Sequence, residues 1–426
     1  MLNVISRPLV RLVDRWLPDP YIFVVILTLL VMIAAMAIEG HGPMAVVGMW
    51  GAGFWELLSF AMQMLLVLVT GYMMASTPLV RRGLERLADL AGSPGTAILL
   101  VSFVSLAASW INWGFGLVVG ALFAKAIARK VRVDYRLLVA SAYSGFIVWH
   151  GGLAGSVPLA IATAGHPFEG AIGVIATDRT IFAAYNLFIV IALFIAVPLV
   201  NRMMMPRPGE EVFVDPKLLA EPEVVDTPGT TPAERMENSR VLSWLIGAAG
   251  VAWLVQYFAG LGTLTLNVVN FLFLIVAIIL HGTPRRLLAS LNEGVKGGAG
   301  IVIQFPFYAG IMAIMLNSGL AETISVWLTS FATEKSFAFW TFMSAGLVNF
   351  FVPSGGGQWA IQAPVILPAA EALGVDAARA AMAVAWGDSW TNMVQPFWAL
   401  PILGIAGLRA RDIIPHSPSK SLISLS

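Results

Sequence analysis

Asp388 lies in the run Trp386-Gly387-Asp388-Ser389-Trp390-Thr391-Asn392-Met393-Val394-Gln395-Pro396, a polar break inside otherwise apolar sequence. A carboxylate in hydrocarbon is costly, so the chemistry it points to is that of a proton or ion ligand, with Na⁺ as the metal candidate beside it. Asn392 and Gln395 add neutral carboxamides to the same break. A second break reads Trp149-His150-Gly151-Gly152-Leu153-Ala154-Gly155-Ser156-Val157-Pro158. His150 precedes Asp388 by 388 − 150 = 238 positions and is a candidate proton relay, with the Ser156 hydroxyl nearby.

Two glycine clusters could recognise an anion. The first, Asn112-Trp113-Gly114-Phe115-Gly116, continues to Gly120. Its G-x-G-x-x-x-G spacing outside any βαβ unit excludes a dinucleotide fingerprint. Gly116 and Gly120 also form a GxxxG pair, which helix packing alone would explain. The functional reading is that Gly114 and Gly116 free backbone N–H groups at a hairpin tip, with Asn112 beside them. The second cluster, Asn349-Phe350-Phe351-Val352-Pro353-Ser354-Gly355-Gly356-Gly357-Gln358-Trp359, is more specific. Three glycines after Pro-Ser should interrupt a helix, and irregular backbone in a bilayer persists only where protein or a wet cavity satisfies it. Asn349, Ser354, Gly355, Gly356, Gly357 and Gln358 are therefore candidate substrate contacts.

The elements that must hold these residues follow from composition. Of 426 residues, 58% are hydrophobic and 12% charged, and the mean hydropathy is +0.83. Apolar blocks of roughly 20 residues recur, the length that crosses a ~30 Å hydrocarbon core. The chain reads as an all-α polytopic membrane protein that contacts the lipid bilayer. A net charge of +1 excludes a nucleic-acid footprint, and the absence of cysteine excludes disulfides, Cys-ligated metals and thiol nucleophiles. With no H-E-x-x-H and no G-x-S-x-G, an enzyme is not expected, nor is a cofactor.

Eight spans are expected at 21–38, 54–76, 136–163, 180–201, 240–260, 266–282, 297–316 and 378–408. Two further stretches, 95–129 and 336–370, leave roughly 16 residues per arm after a turn, or ~24 Å, and read as re-entrant hairpins. Arg81, Arg82 and Arg86 precede the first hairpin, and Lys125, Arg129, Lys130 and Arg132 close it, so it opens to the cytoplasm, as does the basic N-terminus. No Lys or Arg falls in the interior of a span, so an anionic substrate would meet backbone N–H groups and neutral side chains. That favours a small, singly charged anion. Trp113, Trp359, Trp386, Trp390, Phe397 and Trp398 crowd the breaks, either walling a short apolar tail or anchoring at the interface.

The halves correspond at a nearly fixed offset. Gly53 and Gln63 map onto Gly294 and Gln304 (241), Asn112 onto Asn349 (237), and Pro158 onto Pro396 (238). The expected organisation is a cytoplasmic amphipathic segment (1–20), a first repeat (21–165) with hairpin 95–129, and connecting spans (166–265) around an acidic, proline-rich cytoplasmic linker (202–239). A second, inverted repeat (266–408) with hairpin 336–370 and a polar tail (409–426) complete it. Inverted repeats with broken helices near the midplane characterise secondary transporters working by alternating access.

Five segments carry a family resemblance: Arg15-Trp-Leu-Pro-Asp-Pro20, Ile111-Asn-Trp-Gly-Phe-Gly-Leu-Val-Val-Gly120, Gln304-Phe-Pro-Phe-Tyr-Ala-Gly310, Val352-Pro-Ser-Gly-Gly-Gly357 and Gln395-Pro-Phe-Trp-Ala-Leu-Pro401. From about residue 5 to 412 the chain resembles the bacterial short-chain fatty acid transporters, which include the permease associated with acetoacetate and butyrate catabolism. The resemblance implies a multi-pass protein of the bacterial inner membrane that carries short monocarboxylates with H⁺ or Na⁺. It places the chain in a wider superfamily of ion-coupled carriers with two hairpins and elevator-type motion, among which homodimers are the expectation. It assigns no binding residue. Family members continue past Arg411-Asp412 into a further hydrophobic segment, where this chain has the polar stretch 413–426. A carrier for another small organic anion, such as a dicarboxylate, and a passive anion channel are the alternative readings.

Overall fold

The computed structural model describes residues 20–207, 209–214, 219, 231–349, 352–394 and 398–408. Among them every regular element is helical, and seven helices or helix pairs are long and apolar enough to cross a membrane. The amphipathic start, the centre of the linker (220–230) and the tail 409–426 lie outside the described residues.

The first half begins with α1 (Pro20–Ile38), the short α2 (Pro43–Gly53) and α3 (Leu58–Ala75). α4 (Pro78–Ala88) is amphipathic and starts on a Thr77 hydroxyl cap and a first-turn proline, whose missing N–H would have lacked a partner anyway. α5 (Pro94–Ile111) and α6 (Trp113–Lys130) form the first hairpin. Each arm has 18 residues, longer than the roughly 16 expected, and reaches about 27 Å. The difference arises because the turn uses one residue: Asn112, in extended backbone at φ −158° and ψ 128°, ends α5 and caps α6. Gly116 packs on Ser109 and Gly120 on Ser105, so the arms run antiparallel about that residue.

α7 (Tyr135–Ser144) tightens into a 3₁₀ segment (Gly145–Gly151) before α8 (Ser156–Ile161), making the interrupted span. α9 (Ala184–Met203), the short α10 (Pro232–Glu237) and α11 (Arg240–Ala259) lie between the halves. Part of the linker is pinned to the base of the first hairpin. Val212 N–H donates to Asp134 Oδ2 at 2.7 Å, Tyr135 N–H donates to Val212 O at 2.9 Å, and Arg129 Nε donates to Leu219 O at 3.2 Å.

The second half repeats the order with α12 (Leu266–His281), α13 (Pro284–Lys296), α14 (Ala299–Ser318) and α15 (Leu320–Phe331). α16 (Phe337–Asn349) and α17 (Gly355–Ala372) form the second hairpin, and α18 (Ala377–Thr391) and α19 (Ala399–Ala406) the last interrupted span. Length alone selects seven candidates rather than eight because α12 has 16 residues and the last span is divided, whereas α5 qualifies. The Gly355-Gly356-Gly357 run, expected to interrupt the helix, instead forms the first turn of α17, and residues 352–354 before it are non-helical. A first turn has few internal backbone bonds, so glycine there sacrifices little helix stability.

α3 and α14 stand at the centre of the packing. α3 contacts α12 and α13 of the second half as well as its own α6, while α14 contacts α1 and α2 of the first half as well as its own α17.

Candidate functional site

Asp388, on α18, is fully buried, and Nε2 of His150 lies 3.3 Å from its Oδ1. That is ion-pair distance, but the angle is outside hydrogen-bond geometry; neither imidazole nitrogen nor Asp388 Oδ2 has a hydrogen-bond partner. Asn392, one turn further on, donates Nδ2 to Asp388 Oδ1 at 2.7 Å. Asn349, ending α16, directs its Nδ2 at Asp388 O (3.0 Å), Thr391 Oγ1 (2.8 Å) and Asn392 Oδ1 (2.9 Å), while its own Oδ1 is unpaired. A buried polar atom without a partner costs about 1–3 kcal/mol, and more when charged, so such a cluster stores destabilisation that a ligand can relieve.

The N-terminus of α17 abuts this pair. A Cβ on Gly355 would sit 2.3 Å from His150 Nε2, one on Gly356 2.8 Å from Phe60 Cζ, and one on Gly357 2.4 Å from Tyr308 Cδ2. The three glycines are thus required by side chains from three different elements, which is why a helix begins with them. Ser354 caps the turn, its Oγ accepting from Gly357 N–H at 3.4 Å. A helix N-terminus carries roughly half a positive charge and N–H groups without intrahelical partners, a setting that favours an anion.

The first hairpin tip reaches the same region. Asn112 Oδ1 accepts from Phe115 N–H at 2.8 Å, and its Nδ2 donates to Val67 O of α3 at 3.3 Å. Gly114 rests on the Leu68 backbone and Gly116 on Ser109, so both glycines are close-packing positions. Because Gly356 lies against Phe60 and Met64 while Gly114 lies against Val67 and Leu68, the two tips sit along neighbouring turns of α3. Trp113 bridges them, its ring 5.8 Å from that of Trp149, whose ring lies tilted by 33° against His150 at 3.6 Å.

The remaining sequence candidates divide. Ser156 is buried at the start of α8, which packs on α17 and α18. Gln358 is engaged structurally through Nε2, which donates to Ala345 O (2.8 Å) and Gln362 Oε1 (2.7 Å), leaving Oε1 unpaired. Gln395 and Phe397 lie outside the described residues. Trp386 is tied by its indole N–H to Asn186 Oδ1 at 3.1 Å. Sequence reasoning missed Tyr143, whose hydroxyl donates to Asn392 O, Tyr308, and Asn186. The legible signal for Asn186 was a lone carboxamide near the start of an apolar connecting span.

Comparison with known proteins bears on this arrangement. The sequence profile describing short chain fatty acid transporters matches residues 1–424. A protein of Escherichia coli (strain K12), provisionally named a short-chain fatty acid transporter, is 46% identical over 432 residues, covering 100% of this chain and 98% of the relative. One from Haemophilus influenzae with the same provisional name is 46% identical over 426 residues, covering 97% and 95%. Among solved structures, the crystal structure of the YdaH transporter of Alcanivorax borkumensis, described as having an unusual topology, superposes with a TM-score of 0.56 at 18% identity. That match covers 93% of this chain and 94% of the other, and indicates a shared fold. The match along nearly the whole chain, together with the helical membrane fold, makes this protein a member of the short-chain fatty acid transporter family.

Proposed function

We propose that the protein carries butyrate- and acetoacetate-sized monocarboxylates across the bacterial cytoplasmic membrane by alternating access, coupled to H⁺ or Na⁺, with its N-terminus in the cytoplasm. The observation that carries this reading is the buried His150–Asp388 contact at the N-terminus of α17. Asp388 Oδ2 and Asn349 Oδ1 are acceptor oxygens without donors, which suits a proton or Na⁺. The first N–H groups of α17 and α6 suit a carboxylate. Loading both at once cancels charge inside a low-dielectric site, and this ties the movement of one to the other.

Inverted repeats supply the alternation in this reading. Contacts exchange between the halves: Gly53 meets Ala313, and Gly294 meets Tyr72, with 294 − 53 = 313 − 72 = 241. Equivalent residues thus contact each other's partners, as a two-fold relation between repeats requires. Asp388 and His150, 238 apart, meet across the same relation.

The test is uptake of radiolabelled butyrate into proteoliposomes under imposed pH and Na⁺ gradients, with Asp388→Asn alongside. Accumulation driven by one gradient and lost in the variant supports coupling through Asp388. Accumulation that survives removes Asp388 from the mechanism, and no butyrate uptake under either gradient removes the substrate assignment.

A further inference from the structure

Asn186 is fully buried on α9, a span with no candidate residue in the sequence reading, yet each end of its carboxamide is bonded beside the His150–Asp388 pair. Nδ2 donates to Gly151 O at 3.0 Å, one residue after His150, and to Ile181 O at 2.8 Å. Oδ1 accepts from the Trp386 indole N–H at 3.1 Å, two residues before Asp388. Gly151 O also accepts from Trp110 Nε1 at 3.1 Å, which adds the first hairpin two residues before its Asn112 turn. The fit is close: a Cβ on Gly151 would lie 2.7 Å from Trp386 and 3.0 Å from Asn186 Oδ1.

We infer that Asn186 is a positioning residue: it fixes the 3₁₀ segment bearing His150 against the helix bearing Asp388. The argument is geometric. A carboxamide is the neutral group that donates and accepts at once, which this place demands, since one neighbour offers a carbonyl and the other an N–H. The 3₁₀ segment has poorer internal hydrogen bonds than an α-helix, so its register depends on outside partners such as these. Without the clamp, the elements bearing the imidazole and the carboxylate lose the hydrogen bonds that join them through α9. A misplacement of about 1 Å is enough to impair a site of this kind. A second asparagine on α9, Asn201, donates to Ser102 Oγ (2.9 Å) and to Ser144 Oγ (2.7 Å), where the 3₁₀ segment begins, and serves as the control for the α18 side.

The inference rests on the proposed role of the pair in coupling, so the experiment has two arms. Amide hydrogen exchange needs no substrate: Asn186→Ala should speed exchange in 145–152 and 384–391 at least fivefold over wild type, whereas Asn201→Ala should leave 384–391 unchanged. In proteoliposomes, Asn186→Ala should lower gradient-driven butyrate accumulation at least tenfold while butyrate exchange at equal concentrations on both sides falls less than threefold. Trp386→Phe, which keeps a ring but deletes the donor to Oδ1, should move both readouts the same way, and decides the matter should Asn186→Ala not reach the membrane. Unchanged exchange in the two segments overturns the clamp. Faster exchange with full accumulation overturns the positioning role. A wild-type protein that accumulates no butyrate condemns the transport reading instead, and the hydrogen-exchange arm then still decides the clamp.

Discussion

The backbone of Gly355 passes so near Nε2 of His150 that a methyl group there would lie 2.3 Å from the ring nitrogen. Gly355→Ala should therefore displace the imidazole from Asp388. The expected result is at least tenfold less gradient-driven uptake and a destabilisation of about 1–3 kcal/mol from overpacking. Gly83→Ala, in open space on α4, should leave uptake unchanged and stability unchanged or raised by about 0.5–1 kcal/mol. Thermal melts in detergent and uptake assays compare the two.

His150→Asn and Asp388→Asn should not behave additively. Removing one member of a buried polar pair strands the other, which costs about 1–3 kcal/mol and more where a charge is left behind. The double variant should therefore be less destabilised than the sum of the singles, by roughly 1–3 kcal/mol of coupling. A cycle that closes to zero would show that the 3.3 Å contact carries no energy.

At the other tip, Asn112→Ala deletes the α6 cap and the bond to Val67 O, a loss of about 1 kcal/mol for the cap plus that of a second hydrogen bond to a helix carbonyl. Asn112→Asp keeps an acceptor for Phe115 N–H and places negative charge at a helix N-terminus. It should nevertheless be at least as destabilised as alanine, because the site is fully buried and the second carboxylate oxygen would face Val67 O. In uptake it should be as poor as alanine or poorer, because the added carboxylate would repel an anionic substrate.

Asp134 joins two functions, accepting from Leu137 N–H at 2.8 Å to cap α7 and from Val212 N–H at 2.7 Å to hold the linker. Asp134→Ala should lose about 2 kcal/mol and expose 209–214 to protease. Asp134→Asn should retain most protection, since its remaining oxygen can serve one of the two donors. Equal cleavage rates in all three proteins would argue that the linker is held by its other contacts.

Much of this arrangement was legible from residue order. Both hairpins could be located because a polar residue and glycines interrupt runs too short to cross twice, and both interrupted spans because Gly151-Gly152 and Gly387-Asp388 break apolar sequence. The function of individual glycines was not legible. Gly114 and Gly116 read as freeing backbone N–H groups at a hairpin tip, and the structure adds that they pack on Leu68 and Ser109; Gly355 to Gly357 read as an interruption and form the first turn of α17. Glycine is chosen by what lies opposite, and the neighbours of Gly357 include Tyr308, about 50 positions earlier in the chain. Asn186 escaped for the same reason: a carboxamide's partners are three-dimensional, and neither Gly151 nor Trp386 is near it in sequence.

The interlocking of α3 with α12 has a consequence for biogenesis. Gln63 of α3 donates Nε2 to Asn267 Oδ1 at 2.8 Å, and its carbonyl accepts from Asn270 Nδ2 at 2.9 Å. Those partners are synthesised late: 266 − 75 = 191 residues separate the end of α3 from the start of α12. At ~5–20 residues per second a ribosome takes roughly 10–40 s to cover that interval. For that time the nascent first half stands in the bilayer with an amide side chain facing no protein partner. A truncation that stops before Asn267 should therefore be a substrate for membrane quality-control proteolysis rather than a stable half-protein.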